Sequence, residues 1–396
     1  MLTSLKTHAS PLRMAVALSS ISVLFGVCRE FLIVGLLGFT SQNDRLQLYL
    51  SIFYTIGLSI DAVRLSCLNL FQVMSITRIL FSASIIGFPF AMLVGLVMSY
   101  TTGGLNHTLL WMSIVASYLN LMAALLIVYL QRHHFFLTAQ MINVMPNIIL
   151  IPGMIMCYWY LHANLIFAMV CLVSAIPVVQ CLLLLAVVCL SQSATPCGNM
   201  SFFASLRVFV RHFAAQSGEQ LFQIVARSVF YKYGTGYLSV YAIMIRIYAA
   251  VRFILIDSFI GSKLANWHID KESNLFLKMV NSIVFAVMMV AFSLIISLKP
   301  HADLVFASIQ MMVVLCFGFY FSTIVRIIYF KINRHESNPS LIVKFASFEM
   351  VCALSAIVMA TQFNYPVLAI LWLGYIAKPF AQLLLLRKRY LELAAS

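Results

Sequence analysis

Apolar runs of about twenty residues recur along the chain from residue 14 to residue 386, separated by short polar connections. An α-helix rises 1.5 Å per residue, so about twenty residues cross the ~30 Å hydrocarbon core of a bilayer. In hydrocarbon a segment must satisfy its own backbone hydrogen bonds, and for runs of this length the helix is the solution. A soluble domain is about half apolar and about a quarter charged. This chain is 63% hydrophobic and 9% charged, with mean hydropathy +1.01. The expected fold class is an all-α polytopic membrane protein.

Twelve spans are expected, at 14–39, 46–72, 79–100, 109–130, 135–160, 163–190, 213–232, 237–260, 275–297, 302–330, 341–362 and 365–386. Fifteen lysines and arginines, from Lys6 and Arg13 to Arg387, Lys388 and Arg389, fall on one side of this layout, and only Arg45, Lys232 and Lys299 on the other. The positive-inside rule then puts both termini in the cytoplasm and accounts for most of the net charge of +14. The basic balance therefore implies no nucleic-acid partner. The first run carries no convincing cleavage site before Gly38, so the first helix is expected to be retained rather than removed as a signal peptide.

The longest cytoplasmic connection, 191–212, divides the spans six and six. The expected organisation is an N-terminal six-helix lobe at 1–190, the inter-lobe connection at 191–212 and a C-terminal six-helix lobe at 213–396, around a central cavity. A loose echo relates the halves. The run "GVCREFLIVGLLG" in span 1 has a counterpart in "QIVARSVFYKYGTG" in span 7, and Arg29 and Arg227 lie half a chain length apart. Parallel repeats of this kind relate two lobes by an axis along the membrane normal.

Several functions are disfavoured by what the sequence lacks. The nine cysteines show no CxxC spacing, so neither a disulfide framework nor a metal site is expected, and the thiols read as packing residues. No Walker A, HExxH or GxSxG motif occurs, and no connection much exceeds twenty residues. No catalytic domain and no enzyme activity are expected, and no cofactor.

A charge at the bilayer centre costs at least ~2.5–3.5 kcal/mol, so each one marks a candidate site. Ser19, Ser22, Gly26, Arg29 and Glu30 occupy about one-third of the circumference of span 1 at 100° per residue. Gly57, Asp61, Arg64 and Gln72 form a similar stripe on span 2, and Gln216, Glu219, Gln220, Gln223 and Arg227 another on span 7. Span 8 sets Arg246 and Asp257 on one face. Four helices with one polar stripe each suit a wet cavity. The bland alternative is that Asp61–Arg64 and Glu219–Arg227 are neutralised pairs holding helices together. Glu349 and Lys378, at similar depth on adjacent spans, read as a structural ion pair, while Gln140, Asn143 and Asn147 fit either cavity lining or helix contact. Arginine forks suit oxyanions such as a diphosphate, giving Arg29, Arg64, Arg227, Arg246 and Gln223 as candidate substrate-binding residues. The acids Glu30, Asp61, Glu219 and Asp257 are candidates for cavity charge balance or for coupling to H⁺ or Na⁺.

The motifs "SVLFGVCREFLIVGLLG", with Arg29, Glu30 and Gly38, and "GYLSVYAIMIRIY", with Gly236, Ser239 and Arg246, resemble spans 1 and 8 of the multidrug/oligosaccharidyl-lipid/polysaccharide (MOP) exporter superfamily. The resemblance is strongest to its MurJ/MviN-like lipid II flippases and Wzx-type polysaccharide flippases. It implies twelve helices in two lobes, with Arg29 and Arg246 engaging a substrate diphosphate in the cavity. The implied cargo is a polyprenyl-diphosphate-linked oligosaccharide flipped across the bacterial inner membrane by alternating access, with membrane lipids and a polysaccharide polymerase as candidate partners. An ion-coupled multidrug exporter is the alternative within the same superfamily. Val23 stands where the family has an earlier arginine, Arg64 lies about two turns beyond the family's span 2 arginine, and the prolines common in spans 2 and 8 are missing. Lipid II flippases usually carry two further C-terminal helices, so the expectation moves toward a polysaccharide repeat unit.

Overall fold

The computed structural model describes residues 2–57, 76–133, 135–161, 164–190, 202–252, 254, 272–298, 300–335, 339–362 and 366–395, and among them it contains helices and no strand. Among the described residues each expected span overlaps a helix; the end of expected span 8, from 255 to 260, lies outside them. Helix α1 is Leu2–Leu37, α2 Ser41–Gly57, α3 Ile76–Thr102, α4 His107–Arg132, α5 Phe136–Tyr160 and α6 Leu165–Leu190. Helix α7 is Phe202–Tyr233, α8 Tyr237–Arg252, α9 Glu272–Ser297, α10 Ala302–His335 and α11 Pro339–Gln362. Helix α12 begins at Pro366–Trp372, passes through a π-helical segment at Leu373–Ala377 and continues as Lys378–Ala395. Residues 58–75, which complete expected span 2, lie outside the described residues, as does most of the 191–212 connection. From residue 202 onward that connection is already the first turns of α7.

Among the described residues eight helices are long and apolar enough to cross a membrane: α1, α3, α4, α5, α6, α9, α10 and α12. The chain is a multi-pass membrane protein. Of the four helices with polar stripes α1 belongs to this group, while α2 and α8 run up to residues outside the described set.

The chain packs as two units, Met1–Leu36 with Arg45–Ile224, and Leu37–Asp44 with Val225–Ser396. In the first, α4 is the central helix. Every residue from Leu121 to Leu130 is buried, and α4 packs against α3, α5 and α6. Asn106 caps it, its Oδ1 accepting from the Thr108 and Leu109 amides at 3.0 and 3.3 Å, while its own amide donates to the Tyr49 hydroxyl at 3.0 Å. The outer helices expose Phe81, Leu93, Leu96, Ile149 and Leu182, side chains that only lipid would cover favourably. Tyr100, Trp111, Trp159 and Tyr160 are exposed where α3 ends, α4 begins and α5 ends. Antiparallel neighbours bring these positions to one end, where aromatic residues mark the membrane–water boundary.

In the second unit α10 packs against α8, α9 and α12, and α11 against α12. The π segment of α12 sits on α10 at Gly318. A Cβ there would collide with the Tyr375 carbonyl oxygen and stand 2.9 Å from the Tyr375 Cβ. Gly318 thus permits backbone to meet backbone where one extra residue per turn pushes the chain outward. Overpacking such a contact costs about 1–3 kcal/mol. We expect Gly318→Ala to lower the thermal midpoint in detergent. Gly35→Ala, at a helical position with nothing within 4 Å of the new carbon, is expected to leave the midpoint unchanged or raise it. Equal midpoints for the two variants would show that the contact is not tight.

Candidate functional site

In the first unit the Arg29-Glu30 pair of α1 is closed by a residue of α2. Arg29 Nη2 donates to Glu30 Oε1 at 2.9 Å, and Gln47 Nε2 donates to Glu30 Oε2 at 2.8 Å. Arg29, Glu30 and Gln47 are 2%, 3% and 3% exposed. The carboxylate therefore has both oxygens engaged, and the ion pair enters the protein interior as a neutral unit. Gln47 was not among the residues singled out from sequence. An amide is unremarkable on an apolar helix until its partner is known, so spacing alone gave no sign of it.

Gly38, at φ +67°, lets α1 end in a left-handed turn. Thr40 Oγ1 donates to the Leu37 carbonyl at 2.9 Å and Asn43 Nδ2 to the Gly38 carbonyl at 2.7 Å. This turn, residues 37–44, packs in the second unit, and the reason is Asp44. Its Oδ2 accepts from the Gly236 amide at 2.6 Å, and its Oδ1 from the Ser239 amide and hydroxyl at 3.0 and 2.6 Å. Asp44 is thus the anionic cap of α8, on the amides that a helix N-terminus leaves unsatisfied. Burial pushes its carboxyl above the ordinary range, against these hydrogen bonds, which pull it down. Gly236 adopts φ +89°, and a Cβ there would stand 2.9 Å from that of Phe39. Gly236 and Ser239, matched above by resemblance, are therefore what holds Asp44. Asp44 is not among the residues singled out from sequence, because its partners lie 192 and 195 residues further along the chain.

Further along the second unit, Tyr241 of α8 is fully buried. It stacks on Phe230 of α7 with centroids 4.3 Å apart, and its hydroxyl lies 3.2 Å from that of Tyr375 in the π segment. Tyr248 packs edge-on against both Phe319 and Tyr375 at 5.6 Å, and donates from its hydroxyl to Ser322 Oγ at 3.2 Å. Arg227 lies on α7, about one turn before Phe230. Its Nε is buried with no hydrogen-bond partner. Arg246 on α8 is half-buried, and Gln223, on the part of α7 that belongs to the first unit, is buried. Glu219 lies on α7, but its side chain is outside the described set, as are Asp61, Arg64 and Asp257 entirely.

A second polar cluster joins α11 and α12. Lys378 Nζ is 3.3 Å from Glu349 Oε1, and Gln382 Nε2 donates to the same oxygen at 3.5 Å. The ion pair expected from matching depths is present. On α5, Gln140 is buried and Asn143 half-buried, while the side chain of Asn147 lies outside the described set. Among the described residues no group of three or more His, Cys, Asp or Glu side chains converges as a metal site.

Removing one partner of a buried ion pair costs about 3–5 kcal/mol, because the other charge is left uncompensated. Arg29→Gln and Glu30→Gln are each expected to lower the thermal midpoint strongly, and the double variant by less than the sum. An additive double variant would mean that the pair is not energetically coupled. Asp44→Ala is expected to cost more than the ~1 kcal/mol of an exposed cap, and more than Asp44→Asn, which keeps an acceptor for the α8 amides. Equal midpoints for the two Asp44 variants would remove the capping role.

No protein-family model matches the chain, and no curated protein matches it in sequence. Solved structures do. The chain is similar to the lipid II flippase MurJ in an inward closed conformation, with TM-score 0.66 and 16% identity, covering 96% of this chain and 89% of that one. It is similar to an inward-facing multidrug resistance MATE family transporter of the MOP superfamily, with TM-score 0.59 and 13% identity over 95% of this chain and 96% of that one. A MATE protein in the straight conformation gives TM-score 0.53 and 14% identity, over 98% and 96%. At these identities the likeness is one of fold: nearly the whole chain adopts the architecture found in MOP-superfamily transporters.

Proposed function

We propose that this protein is a flippase that carries a polyprenyl-diphosphate-linked oligosaccharide, a polysaccharide repeat unit rather than lipid II, across the bacterial inner membrane by alternating access. The observation that carries the reading is Arg227, a guanidinium set among the helices with a buried Nε and no partner for it. A positive fork with an unused donor suits an anionic oxygen cluster better than a cationic drug. Arg246 and Arg64 extend the basic set, and Gln223 lies on the same helix as Arg227. Arg29 enters the reading with its charge already balanced by Glu30, so an arriving diphosphate would exchange with that carboxylate. The lobes at 1–190 and 213–396 would rock about the site while the polyprenyl tail stays in lipid. Transport has direction only if the two states bind the cargo differently. Glu30, Asp61, Glu219 and Asp257 are the candidates for linking that difference to H⁺ or Na⁺. No covalent step is involved. The fold likeness to MATE transporters keeps an ion-coupled multidrug exporter as the second reading.

The test is translocation of a fluorescent polyprenyl-diphosphate oligosaccharide in proteoliposomes. Wild type is expected to move it, and Arg227→Ala and Arg246→Ala to slow it by about tenfold to a hundredfold, the loss of a charged hydrogen-bonded contact. Arg227→Lys should restore only part of the rate, because an ammonium has no planar fork. Export of a cationic dye in place of the lipid would replace this reading with the multidrug one.

A further inference from the structure

Gln220 of α7 is 1% exposed, and neither its Nε2 nor its Oε1 has a hydrogen-bond partner. Two other buried amides differ from it. At Gln140 the oxygen alone is buried and unpartnered, and at Asn43 the nitrogen is held by the Gly38 carbonyl. Among the described residues Gln220 is the one side-chain amide with both ends buried and unpartnered. Each such atom costs stability, and a native structure that keeps one calls for a physical reason.

The position on the helix suggests the reason. Arg227 is seven residues further along α7, which returns to the same face at 100° per residue and lies about 10 Å along the axis. Its Nε is likewise buried and without a partner. One helix face therefore carries two sets of unused hydrogen-bonding atoms, one cationic and one neutral.

The chemistry of an amide narrows what completes it. Nε2 only donates and Oε1 only accepts. An oxyanion would engage the donors and leave Oε1 bare, and a cation would engage Oε1 and leave the donors bare. A sugar hydroxyl both donates and accepts, and an acetamido group presents an N–H beside a C=O. We propose that Gln220 is a glycan-binding residue that takes a hydroxyl or acetamido group of the sugar nearest the diphosphate, and that it contributes to selecting a glycosylated carrier over a bare one. This rests on the flippase reading above, in which Arg227 takes the diphosphate. The sugar would meet the amide in a conformation that opens this face of α7. An interaction made in one state and absent from the other is what shifts a conformational equilibrium.

Gln220→Met preserves length and helix propensity while removing both polar atoms. The full-length protein in detergent would be titrated with polyprenyl-diphosphate trisaccharide and with polyprenyl diphosphate lacking sugar, following the ligand-induced shift of the thermal midpoint. The variant without ligand is expected to melt at or above wild type, because an unsatisfied amide has been removed. Its affinity for the glycolipid is expected to fall about tenfold, the effect of one net hydrogen bond, while its affinity for the sugar-free lipid stays the same. A lower midpoint without ligand would mean that the amide has a structural partner, and would overturn the assignment. Equal glycolipid affinity in the two proteins would overturn it as well, and is the result expected if a trapped water completes the amide. If wild type binds the lipids and the variant binds them equally, only Gln220 loses its role. If wild type binds neither lipid, the flippase reading falls first and takes this one with it.

Discussion

Hydrocarbon supplies no hydrogen bonds, so every backbone polar group carried into the membrane must find its partner inside the protein, and a side-chain polar atom that does not costs stability. The helices discharge this requirement for the backbone, and the side chains then divide by how they meet it. Glu30 meets it locally: its neighbour Arg29 supplies the countercharge and Gln47 the remaining donor. Glu349 meets it across helices, through Lys378 and Gln382. In both places a carboxylate is neutralised by a cation and steadied by an amide, an arrangement that makes a charge tolerable in a low dielectric. Because breaking either pair would strand a charge, these clusters restrict which helix movements are accessible to the chain.

Asp44 obeys the same rule with a different partner. A helix N-terminus has amides to satisfy and a partial positive charge to balance, and one carboxylate does both for α8. The segment that carries it, Leu37–Asp44, joins α1 to α2 in sequence yet packs with Val225–Ser396. Chain connectivity and packing therefore disagree at this turn, and the disagreement is maintained by three hydrogen bonds and by the close approach that Gly236 allows to Phe39.

What the sequence disclosed follows from the range of each interaction. Apolar runs and charge bias are local sums, so the twelve helix positions could be read directly. Arg29 and Glu30 are adjacent, so their pairing needed no tertiary information, and Glu349–Lys378 required only matching depth on consecutive spans. Gln47 and Asp44 depend on which turn meets which helix end, and a single sequence carries no such register. The π segment at Leu373–Ala377 is similarly hidden, because its cause is the partner surface at Gly318 rather than any residue within it.

The contrast between satisfied and unsatisfied groups separates architecture from recognition. If every buried polar atom were paired within the fold, a ligand would gain contacts only by breaking existing ones, and the net free energy of exchange would be small. Atoms held without partners by the surrounding helices are different. Their desolvation has already occurred on folding, so a ligand that completes them gains the bond without that cost. Preorganisation of this kind works only if the stability lost at those atoms is recovered elsewhere. The stack of Phe230 on Tyr241 and the hydroxyl contact with Tyr375 provide such support in the unit that contains Arg227. Mutual anchoring of α7, α8 and the π segment keeps a guanidinium with an unused donor in a defined place.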